Sequence, residues 1–431
     1  MTVPELAVPA PAAAPARTAS TVSPWRLSAL IGLGGLFAGV TGPLLSAFVP
    51  VLVQQVLGDR RTMIGGVMAI DNLLLLLLVP WAGPASDRAK GRGRGRLGLV
   101  LLGYVLAAAG MVMLPFTAGL GLVALIAAIT FLHSGINLQR APFQALMADL
   151  VPSRWRSLAN GSITFQMCVG AIVFLMLGRA LGMRPAFFVA GASVLAIALV
   201  FVLWLREPRG TRAGESEDVS FRALGRAAMS TLRGELPGVR AIFVSVLFLQ
   251  ITFQTFTTWY ALHATERFGI RPEDVTIGFI AWAMGGVIGA LPAGAIGVRI
   301  GRRNAMLIGF VMMALAMVLL DRVSTAAQAV PLLALASAAW TFPTVNAYPM
   351  FVEPIPESKR GVLASLYLLC MALGGALGDP FNGRVFDALG NYRAMFLVMA
   401  AYSALAVVAV LLVPRGTGEA GTGPQGAVGA G

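Results

Sequence analysis

The sequence predicts an all-α integral membrane protein, with twelve transmembrane helices in two pseudo-symmetric six-helix bundles. Three observations predict it. Of 431 residues, 57% are hydrophobic and 12% charged, with a mean hydropathy of +0.80, whereas a soluble domain carries about a quarter charged. Twelve apolar stretches reach the roughly 20 residues that a helix needs to cross a hydrocarbon core. And one phrase is written twice: Asp149-x-x-Pro152-x-x-x-Arg156 recurs as Glu353-x-x-Pro356-x-x-x-Arg360, displaced by 204 residues, each time where one apolar stretch ends and the next begins. Pro80-x-x-Gly83-x-x-x-x-Arg88 and Pro292-x-Gly294-x-x-x-x-Arg299 share a second junction more loosely. Repeated helix junctions mark a duplicated membrane fold, with its site expected between the halves.

In order, the stretches are 27–57, 62–86, 97–116, 119–148, 157–182, 185–206, 239–267, 275–298, 303–320, 327–352, 361–386 and 393–413. They group into an N-terminal bundle over 25–206 and a C-terminal bundle over 238–413, joined by a cytoplasmic linker at 207–237. Residues 1–24, rich in Ala and Pro, and 414–431, rich in Gly, read as disordered tails. The first stretch is too long for a signal-peptide core and has no basic run before it, so it should be retained. Its Gly32-Leu-Gly-Gly35 run, and Gly374-Gly-Ala-Leu-Gly378 in the eleventh stretch, permit close helix packing.

Charge placement sets the orientation. With both termini cytoplasmic, the inner loops and tails hold 22 of the 32 Lys and Arg, the outer loops and helix ends nine, and Arg140 lies within a stretch. That is the positive-inside bias; the expected location is the cytoplasmic (inner) membrane. The net charge of +13 therefore needs no nucleic acid. The run Asp87-Arg-Ala-Lys-Gly-Arg-Gly-Arg-Gly-Arg96 lacks interleaved aromatics and is clamped between two stretches. Cys168 and Cys370 fall inside stretches and imply neither disulfide nor metal site. The two histidines are 130 residues apart, and no HExxH, phosphate loop or paired acids point to hydrolysis.

Polar residues kept in lipid mark packing contacts or a wet path. Stretch 4 carries His133, Asn137, Arg140 and Gln144 on one helical face, and stretch 10 carries Ser337, Thr341, Thr344 and Tyr348 at identical spacing. Stretch 7 offers Gln250, Gln254 and Thr257, and stretch 1 more weakly Thr41. These faces predict a shared cavity, with Asn346 in its wall and Trp259, Trp282 or Trp340 as stacking platforms. Asp71 lies deep in stretch 2, 16 residues before Asp87, or roughly 24 Å at 1.5 Å per residue. A lone acid at that depth reads as a proton site. His133 stands at nearly the same depth, and Arg140 two turns nearer the cytoplasm. Asp379, beside Pro380, is a second buried acid, with gating, a structural role or coupling as its possible uses.

These residues resemble the major facilitator superfamily over 26–413. Gly83-Pro-Ala-Ser-Asp87-Arg88 with its basic run is similar to the superfamily's loop 2–3 motif, which implies that Asp87 and Arg88 hold the inward gate. The repeated junction implies the same for Asp149, Arg156, Glu353 and Arg360, bridging the halves at their cytoplasmic ends. Ile70-Asp71-Asn72-Leu73, Arg140-Ala-Pro142-Phe, Arg156-Ser-Leu-Ala-Asn160-Gly161 and Asn346-Ala-Tyr348-Pro349 look like the sucrose/proton symporter branch, near the glycoside–pentoside–hexuronide carriers. Where sodium-coupled melibiose-type carriers place acids, this chain has Leu75, Val79 and Arg140. That difference implies protons as the coupling ion, with no other cofactor. Plant-type sucrose carriers put an essential Arg where Gln144 stands here.

The reading is a monomeric secondary transporter that moves a small polar solute, sugar- or glycoside-like, by alternating access with proton coupling. An exporter of amphipathic drugs or metabolites is the rival, and a membrane-embedded enzyme or scaffold a remote one.

Overall fold

The computed structural model describes residues 23–92, 95–205, 207, 229–231, 233, 238–352 and 360–414. Both expected tails, most of the linker and Glu353 lie outside these. Twelve helices cross the molecule: α1 (Pro24–Leu57), α2 in two pieces (Arg61–Met68 and Ile70–Gly91), α3 (Leu97–Met113), α4 (Leu122–Leu150), α5 (Arg156–Leu181), α6 (Met183–Trp204), α7 (Val239–Phe268), α8 (Thr276–Ile300), α9 (Arg302–Arg322), α10 (Ala326–Val352), α11 (Arg360–Leu389) and α12 (Met395–Leu411). Ten of these are long and apolar enough to cross a membrane, and Met395–Leu411 is a shorter apolar helix. Helices are the form that satisfies every backbone group within lipid.

Two boundaries differ from the apolar pattern. The second stretch breaks at Ala69, where the α2 pieces meet just before Asp71. Gly65 and Gly66 precede the break, and paired glycines weaken the local helix. The third stretch leaves the α-helix after Met113 and tightens into a 3-10 turn over Leu114–Gly119, begun by Pro115, which lacks the N–H an α-helix would use. Single glycines make the sharpest reversals: Gly182, at φ +79°, joins α5 to α6, and Gly301, at φ +86°, joins α8 to α9.

The helices form two bundles, α1–α6 and α7–α12. The repeat is visible in the packing. Gly83 of α2 faces Ala141 of α4 and Gly294 of α8 faces Val345 of α10, in each case 3.8 Å from where a Cβ would stand. Ala141 and Val345 are 204 apart, the displacement of the duplicated junction. The terminal face is where α1 begins and α12 ends; the other is the far face.

A group of side-chain hydrogen bonds and ion pairs joins the bundles at the far face. Arg61 and Thr62 of α2 give backbone N–H bonds to Asp387 of α11 at 3.0 and 2.8 Å, and the Thr62 hydroxyl also bonds Asp387. The Arg61 guanidinium donates to Gly390 O at 3.0 Å, sits 3.9 Å from Glu266 and lies over the Tyr392 ring. Arg179 of α5 pairs with Asp274 at 3.1 Å. That bond, with help from Arg271, holds the Asp274 carboxyl below its ordinary range. The bundles are thus closed together at the far face.

Candidate functional site

The break in α2 leaves Asp71 in the first turn of its second piece, turned towards α4. His133 Nδ1 lies 2.7 Å from Asp71 Oδ1. Asn137, one turn along α4, donates from Nδ2 to the same oxygen at 2.9 Å and to His133 O at 3.0 Å. The cluster is tied but not sealed: the His133 side chain is 12% exposed and that of Asp71 40%. A carboxylate and an imidazole sharing one short contact can hold and release a proton with little rearrangement.

Further along the α4 face, Arg140 and Gln144 are exposed, and neither makes a hydrogen bond or ion pair among the described residues. Across the gap, Gly375 of α11 packs on Asn72, while its neighbour Gly374 packs on Gln250 of α7. Helix α11 thereby sets Gln250 level with Asp71. Gln250 and Gln254 are half-buried and also lack a described partner, while Thr257 donates to Gln254 O at 3.2 Å.

The C-terminal bundle holds an aromatic cluster opposite, with Phe256 and Trp282 buried and Phe253 and Trp340 half-buried. Phe253 stacks on Trp340 with centroids 4.9 Å apart, and Trp282 stacks on Phe256 at 4.0 Å. Trp282 and Trp340 are 6.3 Å apart, and the Trp340 Nε1 has no hydrogen-bond partner. The two phenylalanines were not singled out in the sequence, although they interleave with Gln250 and Gln254 on one helix.

Several expected cavity residues are placed elsewhere. Trp259 is fully buried towards the far face, against Phe386 and Tyr392. Asn346 is buried between helices, donating to Ala293 O and Phe342 O at 3.2 and 2.8 Å. Thr41, Thr341 and Thr344 return their hydroxyls to Phe37 O, Ala338 O and Trp340 O of their own helices. Such bonding satisfies a hydroxyl in an apolar setting without any ligand. Tyr348 is exposed, edge-on to Tyr367.

The terminal-face charges also regroup. Asp87 is held by Arg96, not by Arg88, which is exposed. Arg96 also bonds Asp149 at 2.8 Å and Ser86 at 2.9 Å; Lys90 reaches Asp149 at 2.7 Å, and Glu207 caps the Arg96 N–H at 2.6 Å. Burial works against the Arg96 charge, but the bonds to Asp87 and then Asp149 outweigh it and raise its pKa. Arg156 bonds Ala148 O and Val151 O, tying its own junction. None of these contacts reaches the C-terminal bundle. Arg360 begins α11, and its side chain lies outside the described residues. The sequence hid Arg96, Lys90 and Glu207 because they sit in a charge run or beyond a helix end, where spacing singles out no residue.

Comparison with known proteins agrees with this architecture. The Major Facilitator Superfamily model matches residues 27–278 and 242–429. The chain is 26% identical to the class B tetracycline resistance protein of Escherichia coli over 278 residues, 62% of this chain and 66% of that protein. It is 24% identical to the multidrug resistance protein MdtG of Citrobacter koseri, over 87% of this chain and 92% of MdtG. The fold matches a crystal structure of the nucleoside transporter NupG with a TM-score of 0.72 at 15% identity, covering 90% of this chain and 99% of that one. The sucrose-carrier likeness finds no counterpart among these relatives. The chain belongs to the Major Facilitator Superfamily: it is an integral membrane transporter, not an enzyme, and moves small molecules by alternating access.

Proposed function

We propose that the chain exports an amphipathic, ring-bearing solute in exchange for protons across the cytoplasmic membrane, with the terminal face inside. One observation carries this: the Asp71–His133 contact lies across from the Phe253–Trp340 stack on the opposite bundle, with the Phe256–Trp282 stack buried behind it. Rings bind flat apolar bodies, and an unpaired Arg140 favours a neutral, zwitterionic or anionic head over a cation. The resistance proteins among its relatives support export. The Lys/Arg asymmetry supports cytoplasmic termini.

In this reading, solute enters from the terminal face while the far face is shut. Its head meets Arg140, Gln144, Gln250 or Gln254, and its body lies on the ring wall. A proton on Asp71 neutralises the partner of His133, so proton and solute states of the gap alternate as the bundles rock.

A second reading is proton-driven uptake of a sugar or glycoside. It is favoured by the four unpartnered polar side chains Arg140, Gln144, Gln250 and Gln254, which suit a hydroxyl-rich solute. A thermal-shift screen of purified protein with sugars, glycosides and amphipathic aromatic compounds separates the two, because a ligand that binds the folded state raises its melting temperature. Compounds that bind are then tested for flux in proteoliposomes under an imposed proton gradient. Export predicts aromatic hits driven out as protons enter; sugar hits accumulating with protons would establish uptake instead.

A further inference from the structure

The far-face seal is built on one face of α11. Gly375, Asp379, Gly383 and Asp387 recur at every fourth residue, the spacing that stacks residues on one side of a helix. Each meets α2 in turn. Gly375 lies on Asn72, the Asp379 backbone on Gly65, Gly383 on the backbone of Arg61 and Thr62, and Asp387 accepts from both of those N–H groups. A Cβ at Gly65, Gly375 or Gly383 would collide with the opposite helix. The two helices therefore touch backbone to backbone from the far face down to Gly65, and through the Asn72 side chain at the level of Asp71.

Two acids on this face have opposite surroundings. Asp387 has three donors from α2. Asp379 is 0% exposed, and neither of its carboxylate oxygens has a hydrogen-bond partner. Helix α7 brings Thr258 and Trp259 towards it, and the Trp259 Nε1 is itself unpartnered. On helix α2 the nearest acid, Asp71, is turned to His133 and Asn137 of α4. Helices α10 and α12 bring tyrosines to other positions, Tyr348 onto Tyr367 and Tyr402 onto Asn382. Among the described residues no cation reaches Asp379. A carboxyl group enclosed in this way without a partner is costly to keep in lipid, and one bound proton is the smallest change that offsets it.

We propose that Asp379 is a second proton-binding site, loaded from the far face, and that the α2–α11 seal closes only over its protonated form. The carboxylate takes one proton from far-side water as the helices meet. When they part, its O–H bond breaks and the proton returns to that water. The closed conformer therefore binds more protons than the open one, so acid on the far side favours closure. Asp274 does not oppose this at neutral pH, because Arg179 keeps it charged to lower pH. The inference uses alternating access alone; it needs neither the solute nor coupling at Asp71.

The test is a distance measured without solute. Spin labels at Leu120→Cys and Ser324→Cys, far-face positions on opposite bundles, report opening in nanodiscs between pH 5 and 9, with Cys168 and Cys370 replaced. The closed-to-open ratio should rise with falling pH, by at most tenfold per unit for one proton. Asp379→Asn should be closed and flat with pH, Asp379→Glu should restore the slope, and Arg61→Ala should open the seal while keeping the slope. Asp71→Asn should also keep it, which separates this site from the proposed coupling pair. A flat wild type, or an Asp379→Asn variant with the wild-type slope, overturns the proposal.

Discussion

Helices α4 and α10 carry polar stripes with the same spacing, 204 residues apart, yet they do opposite things. On α4, His133 and Asn137 turn to Asp71 across a helix boundary, and Arg140 and Gln144 are left open. On α10, Thr341 and Thr344 bond their own backbone, and the helix is pressed against glycines of α8: Gly285 on Ala334, Gly289 on Ala338 and Thr341. The difference lies in the partner helices. Gly83 and Gly294, like Arg88 and Arg299, are 211 apart, and the same displacement carries Asp71 onto Trp282. Where the first half presents a carboxylate, the second presents an indole. Duplication kept the scaffold and let one face become ionic and the other aromatic.

That comparison explains what the sequence could show. Twelve helices, the two bundles and the junction repeat were legible because hydropathy and repeated punctuation act along the chain. The match in depth between Asp71 and His133 was legible for the same reason, since helical rise converts residue counts into height. The orientation of a stripe was not legible. A threonine facing its own i−4 carbonyl and one facing a cavity have the same periodicity, and only the neighbouring helix decides between them. Asn346 and Trp259 were misplaced on this ground. The far-face latch of Arg61, Glu266, Asp387 and Tyr392 was missed because it joins residues from three helix ends and one loop, a relation that no local spacing encodes.

The comparison is broken most severely at Asp71. Asp71→Asn keeps size and removes the titrating group, so uphill transport in proteoliposomes should fall by roughly 100-fold or more, in the upper part of what a proton-transfer group contributes. Downhill exchange and ligand-induced thermal shifts should persist. Retained pH-driven accumulation would make the acid structural and leave the ionic face without a function.

A smaller loss is expected on the aromatic face. Trp340→Ala removes the ring stacked on Phe253 and exposes its neighbour Trp282, while Asp71 and His133 are untouched. Affinity for a ring-bearing solute should weaken by about tenfold, the scale of one aromatic contact plus its buried area. The pH dependence of transport should stay in place. A variant that shifted the pH profile without changing affinity would show that the two faces are not divided in this way.

The smallest effect tests the stripes against each other. Asn137 and Thr341 occupy equivalent places, 204 apart. Asn137→Leu strips one of the two donors that meet the Asp71 carboxylate, while His133 O keeps its helix partner; a loss of about 1–3 kcal/mol in the stability of that arrangement follows, read as a shifted pH profile for transport. Thr341→Val replaces a hydroxyl that hydrogen-bonds only its own helix and packs on Gly289 with a methyl of similar size. Valine keeps the branched shape and returns Ala338 O to its backbone partner, so stability and affinity should change by less than about 0.5 kcal/mol. If Thr341→Val impaired transport as much as Asn137→Leu, the α10 stripe would line the solute path in a conformer other than the far-closed one, and the division of labour between the halves would hold for one state of the cycle only.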